Sequence, residues 1–243
     1  MTFKLIISGV TGRIGRQVLH HALQNPTITS VIALSRRASP DLVQHAKVLV
    51  LVLQDFTVYP EDVVAELAGA DGCIWCMTTT AGDPVLEIDY PRAFANAITP
   101  SLANHGKPFR YLHLSGGLVE RDQKKFLWMK GSVRKTKACT IGPEPSLLAV
   151  AGQGETQMIG IANEPSHCGL WETIIARPGM VVQKGSYVGE ASMWLAGSSG
   201  SCIRSDELAL ALIDAVLHGS EQLLLPATLL RRGQELAKLA GLD

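Results

Sequence analysis

Short apolar runs alternate along the chain with stretches in which apolar residues recur at helical spacing. Phe3–Ser8 is a continuous apolar run followed by a glycine, which is typical of a strand buried on both faces of a parallel sheet. Further strands are predicted at Val31–Leu34, Val48–Leu53, Gly72–Met77, Arg110–Leu114 and Thr173–Ala176. Helices are predicted from Gly15 to Asn25-Pro26 and over Tyr59–Ala68, Ile88–Asn104, Glu155–Asn163, Ser205–Leu217 and Leu229–Leu239. This alternation predicts an α/β fold with a doubly wound parallel sheet.

One long stretch, from about Leu118 to Gly169, departs from the alternation. It contains a basic segment between Lys124 and Lys137, followed by the apolar, proline- and glycine-containing segment Ala138–Ala151. Long irregular segments inside a compact domain are often functional. We interpret residues 1–243 as a single domain with an irregular excursion at 118–169, in which about residues 180–243 form the substrate side.

Composition narrows the classes of partner. The 22 basic residues equal the 22 acidic ones, so the chain lacks the surplus of positive charge that binds nucleic acid. Only 18% of residues are charged and 47% are hydrophobic, which predicts a large core or an interface such as that of a homodimer. No apolar run reaches the roughly 18 residues of a membrane span, and the N-terminus enters a strand directly. We therefore expect a cytoplasmic protein without a membrane partner.

Cysteines occur at positions 73, 76, 139, 168 and 202, an odd number typical of reduced thiols. Cys73 and Cys76 have the spacing of a zinc or redox element. They fall, however, within an apolar strand, and no second Cys/His pair follows at zinc-finger distance. We interpret them as core residues and predict no metal site.

A glycine-rich turn follows the first strand and opens the first helix. Gly9, Gly12 and Gly15 let the backbone approach a pyrophosphate, and the helix N-terminus offers unpaired N–H groups and a positive dipole. Strand, turn and helix occur in the order that such a site requires. The sequence therefore predicts a dinucleotide site, whose contacts from this turn include Thr11, Arg13 and Ile14 as well as the glycines.

The residues after the second strand indicate which nucleotide binds. An NAD site would have an acidic residue there to bond the ribose hydroxyls, but this chain has Ser35-Arg36-Arg37. Two guanidinium groups suit a 2′-phosphate, so NADP(H) is the predicted cofactor, with Arg13 a possible third cation. The alternative is that Arg36 and Arg37 are solvated loop residues.

Gln54-Asp55-Phe56 follows the third strand. Asp55 could accept a hydrogen bond from the adenine amino group while Phe56 packs on the ring. The alternative is an ordinary turn at the end of a strand. Thr78 and Pro178, which follow the fourth and sixth strands, complete the predicted cofactor contacts.

These features occur together in one known family. The set comprises the Gly9–Gly15 turn, the arginines after strand two, Asp55, Ser115-Gly116-Gly117 and Ala176-Arg177-Pro178-Gly179. Over about residues 3–183 the chain resembles the NmrA-like, atypical short-chain dehydrogenases/reductases, which implies an NAD(P)-binding Rossmann fold. Residues 113–117, 120–123 and 175–181 are most similar to small fungal oxidoreductases of polyketide and anthraquinone pathways.

The resemblance also implies a catalytic set, which this chain meets only in part. Short-chain dehydrogenases use a serine on strand five and a tyrosine four residues before a lysine. Ser115 matches the serine. Lys130 could be the lysine, but Phe126 stands four residues before it. Lys137 could be the lysine instead if Ala138–Ala151 is an insertion, which would place it before the family's helix start at Gly152-Gln153-Gly154-Glu155. Val133 then takes the tyrosine position. We favour Lys137, and neither placement supplies a tyrosine.

A missing tyrosine requires another proton donor: Tyr111, Tyr90, His113, a bound water or the substrate's own phenol. His113 alternates with Leu114 on a buried strand and is interpreted as a core histidine. The leading hypothesis is an NADPH-dependent reductase of a hydrophobic, aromatic or quinone-like small molecule. Met180–Val182 and Met193–Leu195 could line its substrate pocket, or could equally be core residues. A redox-neutral isomerase or cyclase and an NADP-sensing regulator are the alternatives.

Overall fold

The computed structural model describes residues 2–38, 45–78, 83–103, 106–117, 119, 147–183 and 202–242, with backbone alone for 147–151. Its strands are β1 (Phe3–Ser8), β2 (Ile28–Ser35), β3 (Val48–Val52), β4 (Gly72–Trp75), β5 (Phe109–Leu114), β6 (Trp171–Ala176), β7 (Met180–Val182), β8 (Cys202–Arg204) and β9 (Leu223–Leu224). Its helices are α1 (Arg13–Gln24), α2 (Glu61–Leu67), α3 (Tyr90–Leu102), α4 (Leu147–Ala162), α5 (Ser205–His218) and α6 (Pro226–Leu239). A π-helical turn at Val85–Asp89 leads into α3.

Seven strands form one parallel sheet in the order β3-β2-β1-β4-β5-β6-β9. The chain proceeds outward from β1 to β3, and then crosses back to β4 on the other side of β1. This reversal between β1 and β4 is the topological switch point, and open α/β sheets bind ligands there, beyond the carboxyl ends of the strands. The predicted doubly wound parallel sheet is confirmed.

Each face of the sheet is covered by its own set of helices. Leu5 and Ile7 of β1 face a core that includes residues of α1, α5 and α6. Ile6 lies between them in β1 and points to the opposite face of the sheet, into an aromatic-rich core shared with α2, α3 and α4. The alternation of side chains along one fully buried strand thus builds both layers, which explains why β1 reads as a continuous apolar run.

The predicted strand at Phe3–Ser8 has the observed bounds, and most other elements are shifted by a few residues. One element requires a correction. Residues 147–151, placed in the irregular insertion by the sequence, are the first five residues of α4. Glu155 therefore lies inside this helix and not at its start, and the helix continues without a break from Leu147 through Gly152.

The short strands β7, β8 and β9 were not predicted. β7 and β8 pair in parallel as a separate two-stranded sheet, and β9 adds two residues to the edge of the main sheet beside β6. Elements of two or three residues carry too few positions for a periodic pattern to be recognised. Among the helices of the described residues, none is long and apolar enough to cross a membrane.

Candidate functional site

The glycine-rich turn lies at the switch point, between the end of β1 and the N-terminus of α1. Gly9 has φ +67°, and a Cβ there would lie 2.9 Å from the carbonyl oxygen of Cys76, just past β4. A Cβ on Gly15 would collide with the Gly9 carbonyl. Only glycine satisfies both the positive φ and these close approaches. The turn is therefore packed tightly against the loop after β4.

The N-terminus of α1 is open to a ligand. Gly12 is the N-cap and supplies no side-chain hydrogen bond, and the first turn contains no acidic residue. Thr11, Gly12 and Arg13 are exposed, Ile14 is half-buried and Gly15 is buried. The first backbone N–H groups of a helix have no partner within it, so this end presents donors and a positive dipole. A pyrophosphate, which is anionic and accepts hydrogen bonds from backbone N–H groups, fits this helix end.

Two further cations stand at the same edge of the sheet, one strand away. Arg36 and Arg37 directly follow β2 and are both exposed. Ser35 fixes the start of this loop, because its Oγ donates to the carbonyl oxygen of Arg37 at 2.8 Å. The residues present thus fit a phosphorylated ribose next to a dinucleotide pyrophosphate.

The prediction for the adenine contacts is only half compatible with the structure. Asp55 is exposed, and its Oδ1 accepts hydrogen bonds from the backbone N–H and hydroxyl of Thr57, both at 2.8 Å, which lower the pKa of its carboxyl. Phe56 is fully buried and packs against Tyr59, Trp75 and Tyr90. A ring with no exposed surface cannot stack on adenine, so the stacking interpretation of Phe56 is wrong for this structure and the residue belongs to the core.

A buried ion pair stands at the ends of β5 and β6. Glu155 of α4 is fully buried, and Arg177, directly after β6, holds it with Nε 2.8 Å from Oε1 and Nη2 2.5 Å from Oε2. Ser115, directly after β5, donates from Oγ to Oε1 at 2.6 Å. Backbone bonds from Ser115 N to Ala176 O and from Gly117 N to Pro178 O, both 2.8 Å, tie the two strand ends together. Ser115 is therefore fixed from both its main chain and its side chain.

A second side-chain hydrogen bond lies just after β4, at the same carboxyl edge of the sheet. Thr78 is exposed, and its hydroxyl donates to Oε1 of the buried Glu87 at 2.7 Å. Glu87 belongs to the π-helical turn, whose carbonyl at this residue leaves no room for a Cβ on Gly154 of α4. Helix α4 thus packs closely on the turn that carries Glu87. Pro178 is buried, and its carbonyl is engaged by Gly117.

The alternative proton donors are mostly removed from the surface. His113 is buried, its Nδ1 lies 3.2 Å from the Tyr111 hydroxyl, and burial lowers its pKa to about 4 against the opposing effect of Glu155. Tyr111 is fully buried as well, which raises the pKa of its phenol. The interpretation of His113 as a core histidine is confirmed. Tyr90, at the start of α3, is half-buried.

Of the two cysteines with metal-like spacing, Cys73 is buried and Cys76 is half-buried. Burial raises the pKa of the Cys73 thiol, and it raises the pKa of the Cys76 thiol to about 12. Neutral thiols are poor nucleophiles and poor metal ligands. Cys73 is part of the aromatic-rich core and Cys76 packs against the opposite one, as the sequence predicted for apolar strand residues.

Both candidate lysines, Lys130 and Lys137, and the segment Met193–Leu195 lie outside the described residues. Helix α4 itself contains neither a tyrosine nor a lysine. The sequence indicated Ser115 and Thr78, but not that Glu155 with Arg177 supports Ser115 or that Glu87 binds Thr78. Glu155 is the only charged residue of α4, and this was the signal available, since a carboxylate that becomes buried needs a charged partner.

Comparison with known proteins gives one match to a curated sequence and many to solved structures. "Leucinostatins biosynthesis cluster protein T" of Purpureocillium lilacinum is 34% identical over 84 residues, which is 35% of this chain and 29% of that protein. The match thus spans less than a third of the relative's length. No model of a known protein family matches the chain.

The similar structures include short-chain dehydrogenases/reductases. Gre2 of Candida albicans, in complex with NADPH, has a TM-score of 0.65 and 13% identity, covering 92% of this chain and 77% of that one. The reductase domain of PhqB from Penicillium fellutanum has a TM-score of 0.58 and 17% identity, covering 91% of this chain and 66% of that one. WbmF of Bordetella bronchiseptica, in complex with NAD+ and UDP, has a TM-score of 0.60 and 12% identity, covering 100% and 79%. These likenesses establish the fold.

Proposed function

Since the chain has the Rossmann fold of short-chain dehydrogenases/reductases, we propose that it is an NADP(H)-dependent oxidoreductase that acts on a hydrophobic, aromatic or quinone-like small molecule. The observation that carries the proposal is the open N-terminus of α1 at the switch point, next to a glycine turn in which side chains have no room. A nicotinamide cofactor, when bound, supplies or accepts the hydride.

Specificity for NADP(H) rests on the charge at the end of β2. Arg36 and Arg37 are exposed there, and an acidic residue that would repel a 2′-phosphate is absent from Ser35-Arg36-Arg37. Guanidinium groups bind phosphate with paired, charge-assisted hydrogen bonds. The same two residues make NAD(H) the weaker ligand.

The chain's residues at the other end of the site position the substrate. Ser115 lies at the end of β5 with its hydroxyl fixed on Glu155, and Arg177 neutralises that carboxylate. A place in secondary metabolism is supported by the match to a leucinostatin-cluster protein, and reductase chemistry by the likeness to a fungal reductase domain.

The test is NADPH oxidation, followed by its absorbance, against a panel of quinones and aromatic ketones. We expect turnover of at least one panel member by the full chain, and loss of that turnover in Ser115→Ala without loss of NADPH binding. A silent panel with intact NADPH binding would contradict the proposed reaction. A lack of NADPH binding would contradict the cofactor as well.

One observation favours a second function. Helix α4 has no tyrosine or lysine, and Tyr111 is buried, so the described residues offer no phenolic donor of the usual kind beside Ser115. A redox-neutral isomerisation or ring closure on the same scaffold needs no hydride. Turnover that is unchanged after NADP(H) is removed would identify this alternative.

A further inference from the structure

We propose that Ser115 accepts, and does not donate, the hydrogen bond that orients the substrate, so that the site selects ligands presenting a hydroxyl group. The inference rests on the proposed function, because it takes the end of β5 to be the place where a substrate oxygen lies. It adds the polarity of that contact and hence the chemical form of the ligand: the oxygen that meets Ser115 belongs to a hydroxyl group, as in a hydroxylated quinone or in the phenol, hydroquinone or alcohol on the reduced side of the reaction, and a carbonyl oxygen is the weaker partner.

The first step concerns the charge on Glu155. Its carboxylate is fully buried and receives two hydrogen bonds from the guanidinium of Arg177, one on each oxygen. Paired geometry of this kind is made by an ionised carboxylate, since a guanidinium has only donors to offer. A buried charge without such a partner would be strongly unfavourable. Glu155 is therefore the anionic half of a buried ion pair.

The second step concerns the direction of the bond to Ser115. An ionised carboxylate can only accept, so the single hydroxyl proton of Ser115 lies on the 2.6 Å line from Oγ to Oε1 of Glu155. That proton is no longer available to a ligand. The two lone pairs of the Ser115 oxygen are left, and both are acceptors.

The third step concerns how firmly this arrangement holds. The backbone N–H of Ser115 is bound to Ala176 O at 2.8 Å, and Arg177 follows Ala176 directly. Rotation of the hydroxyl toward a carbonyl ligand would break a charge-assisted bond and leave a buried carboxylate oxygen with one donor fewer. A ligand hydroxyl meets the Ser115 oxygen with no such loss. The expected preference is about tenfold in affinity or more, which corresponds to about 1.4 kcal/mol.

The test compares two inert probes with the same ring system by calorimetry on the full chain. 2-Naphthol presents a hydroxyl donor, and 2-naphthaldehyde presents only a carbonyl acceptor. Titrations are made with and without saturating NADP+, and the absence of NADPH absorbance checks that neither probe is oxidised. NADP+ binding is measured first, so its failure counts against the proposed function, whereas the probe preference judges the polarity of Ser115 in either case.

In the unaltered chain we expect 2-naphthol to bind at least about tenfold tighter than 2-naphthaldehyde. Glu155→Gln keeps the shape of the side chain. With its amide oxygen on Nη2 of Arg177, its NH2 takes the position of Oε1, loses the bond from Arg177 Nε and donates to Ser115. That frees the Ser115 proton, so the preference should fall to nothing or reverse. A variant that merely loosens the structure would weaken both probes alike.

Ser115→Ala provides the second variant, since removal of a half-buried hydroxyl leaves the packing intact. We expect it to abolish the difference between the probes even if Glu155→Gln does not fold. Equal or tighter binding of 2-naphthaldehyde to the unaltered chain would overturn the proposal. So would a preference for 2-naphthol that persists in Ser115→Ala, or a failure of both probes to bind.

Discussion

At the scale of single residues, the site depends on which partner each polar side chain finds. Ser115 and Glu155 are 40 positions apart, and Arg177 is a further 22 positions from Glu155. The sequence indicated Ser115 through its place after a strand, but partners at such separations are set by packing and strand register. The same limit applies to Phe56, whose burial comes from the neighbouring Trp75 and Tyr90.

Replacement of Arg36 should distinguish a phosphate-binding residue from a solvated one. We expect Arg36→Ala to weaken NADP+ binding about tenfold or more and NAD+ binding far less, because only NADP+ carries the 2′-phosphate. Calorimetric titration with both nucleotides measures the two effects. Arg231→Ala, an exposed arginine on α6, is the matched control. Equal losses for the two nucleotides would refute the assignment of Arg36.

Burial of His113 links stability to pH. In the unfolded chain the imidazole takes up a proton as the pH falls through 6.5, but in the folded protein it does so only near pH 4. Protonation therefore favours the unfolded chain between these values, and the free energy of unfolding falls as the pH is lowered, by up to about 3 kcal/mol. Urea unfolding at pH 7 and pH 5 measures the part of this loss between those values, about 2 kcal/mol.

The control for this prediction is His113→Asn, which removes the titrating group and keeps a polar atom near the Tyr111 hydroxyl. The drop in unfolding free energy between pH 7 and pH 5 should be smaller in this variant. His21, whose pKa burial also lowers, is present in both proteins and contributes equally. An identical pH dependence would show that His113 is not responsible.

At the scale of elements, a strand or helix is predicted best from the sequence when its own residues show a clear apolar run or amphipathic spacing. β1 is an apolar run with a glycine after it, and α1 follows with an amphipathic face, so both were found from the sequence. Helix α4 includes Leu147, earlier than predicted, since its first turns continue an apolar segment without a polar face to reveal a helical period. Its position is set by contact with the turn at Glu87.

The N-terminus of α1 gives a prediction at this scale. Gly12 has an extended backbone with φ −76°, and a Cβ there would lie 3.1 Å from Gly9 O, so a small adjustment admits a side chain. Gly12→Asp should leave stability nearly unchanged, because aspartate is a good N-cap. It should abolish measurable NADP+ binding, because a carboxylate would stand against the pyrophosphate.

Gly12→Asn separates charge from size, since the two side chains have the same shape. We expect it to retain more NADP+ affinity than Gly12→Asp, as measured by calorimetry, with melting temperatures confirming that both variants fold. Should Gly12→Asp bind NADP+ normally, the helix N-terminus would not be the phosphate site.

At the scale of the whole molecule, the helices that follow β8 complete the layer over β1. α5 packs against α1 and α6, and Leu208, Leu212 and Val216 join the same core as Leu5. The contact between α5 and α6 is close at Gly233, where a Cβ would lie 2.5 Å from the carbonyl oxygen of Glu207. The sequence predicted both helices, but not this crossing, because the residues around a glycine inside a helix do not indicate which other helix lies against it.

This crossing gives the last prediction. Gly233→Ala should destabilise the protein by about 1–3 kcal/mol, since the added methyl group forces α5 and α6 apart. Gly160→Ala in α4 is the control: a Cβ there meets nothing within 4 Å, and alanine should stabilise the helix by about 0.5–1 kcal/mol. Urea unfolding measures both. Similar effects of the two substitutions would mean that the close crossing does not limit the packing.

The position of α5 has a consequence for synthesis of the protein. One face of β1 is covered by residues that leave the ribosome long after β1 itself, because α5 and α6 follow the sixth strand of the main sheet. Until they emerge, Leu5 and Ile7 of the nascent chain have α1 beside them but lack the cover that α5 and α6 supply, and contacts between such distant segments are slow to form. Translation that stalls before α5 would therefore expose an apolar sheet, which makes the incomplete chain a substrate for chaperones.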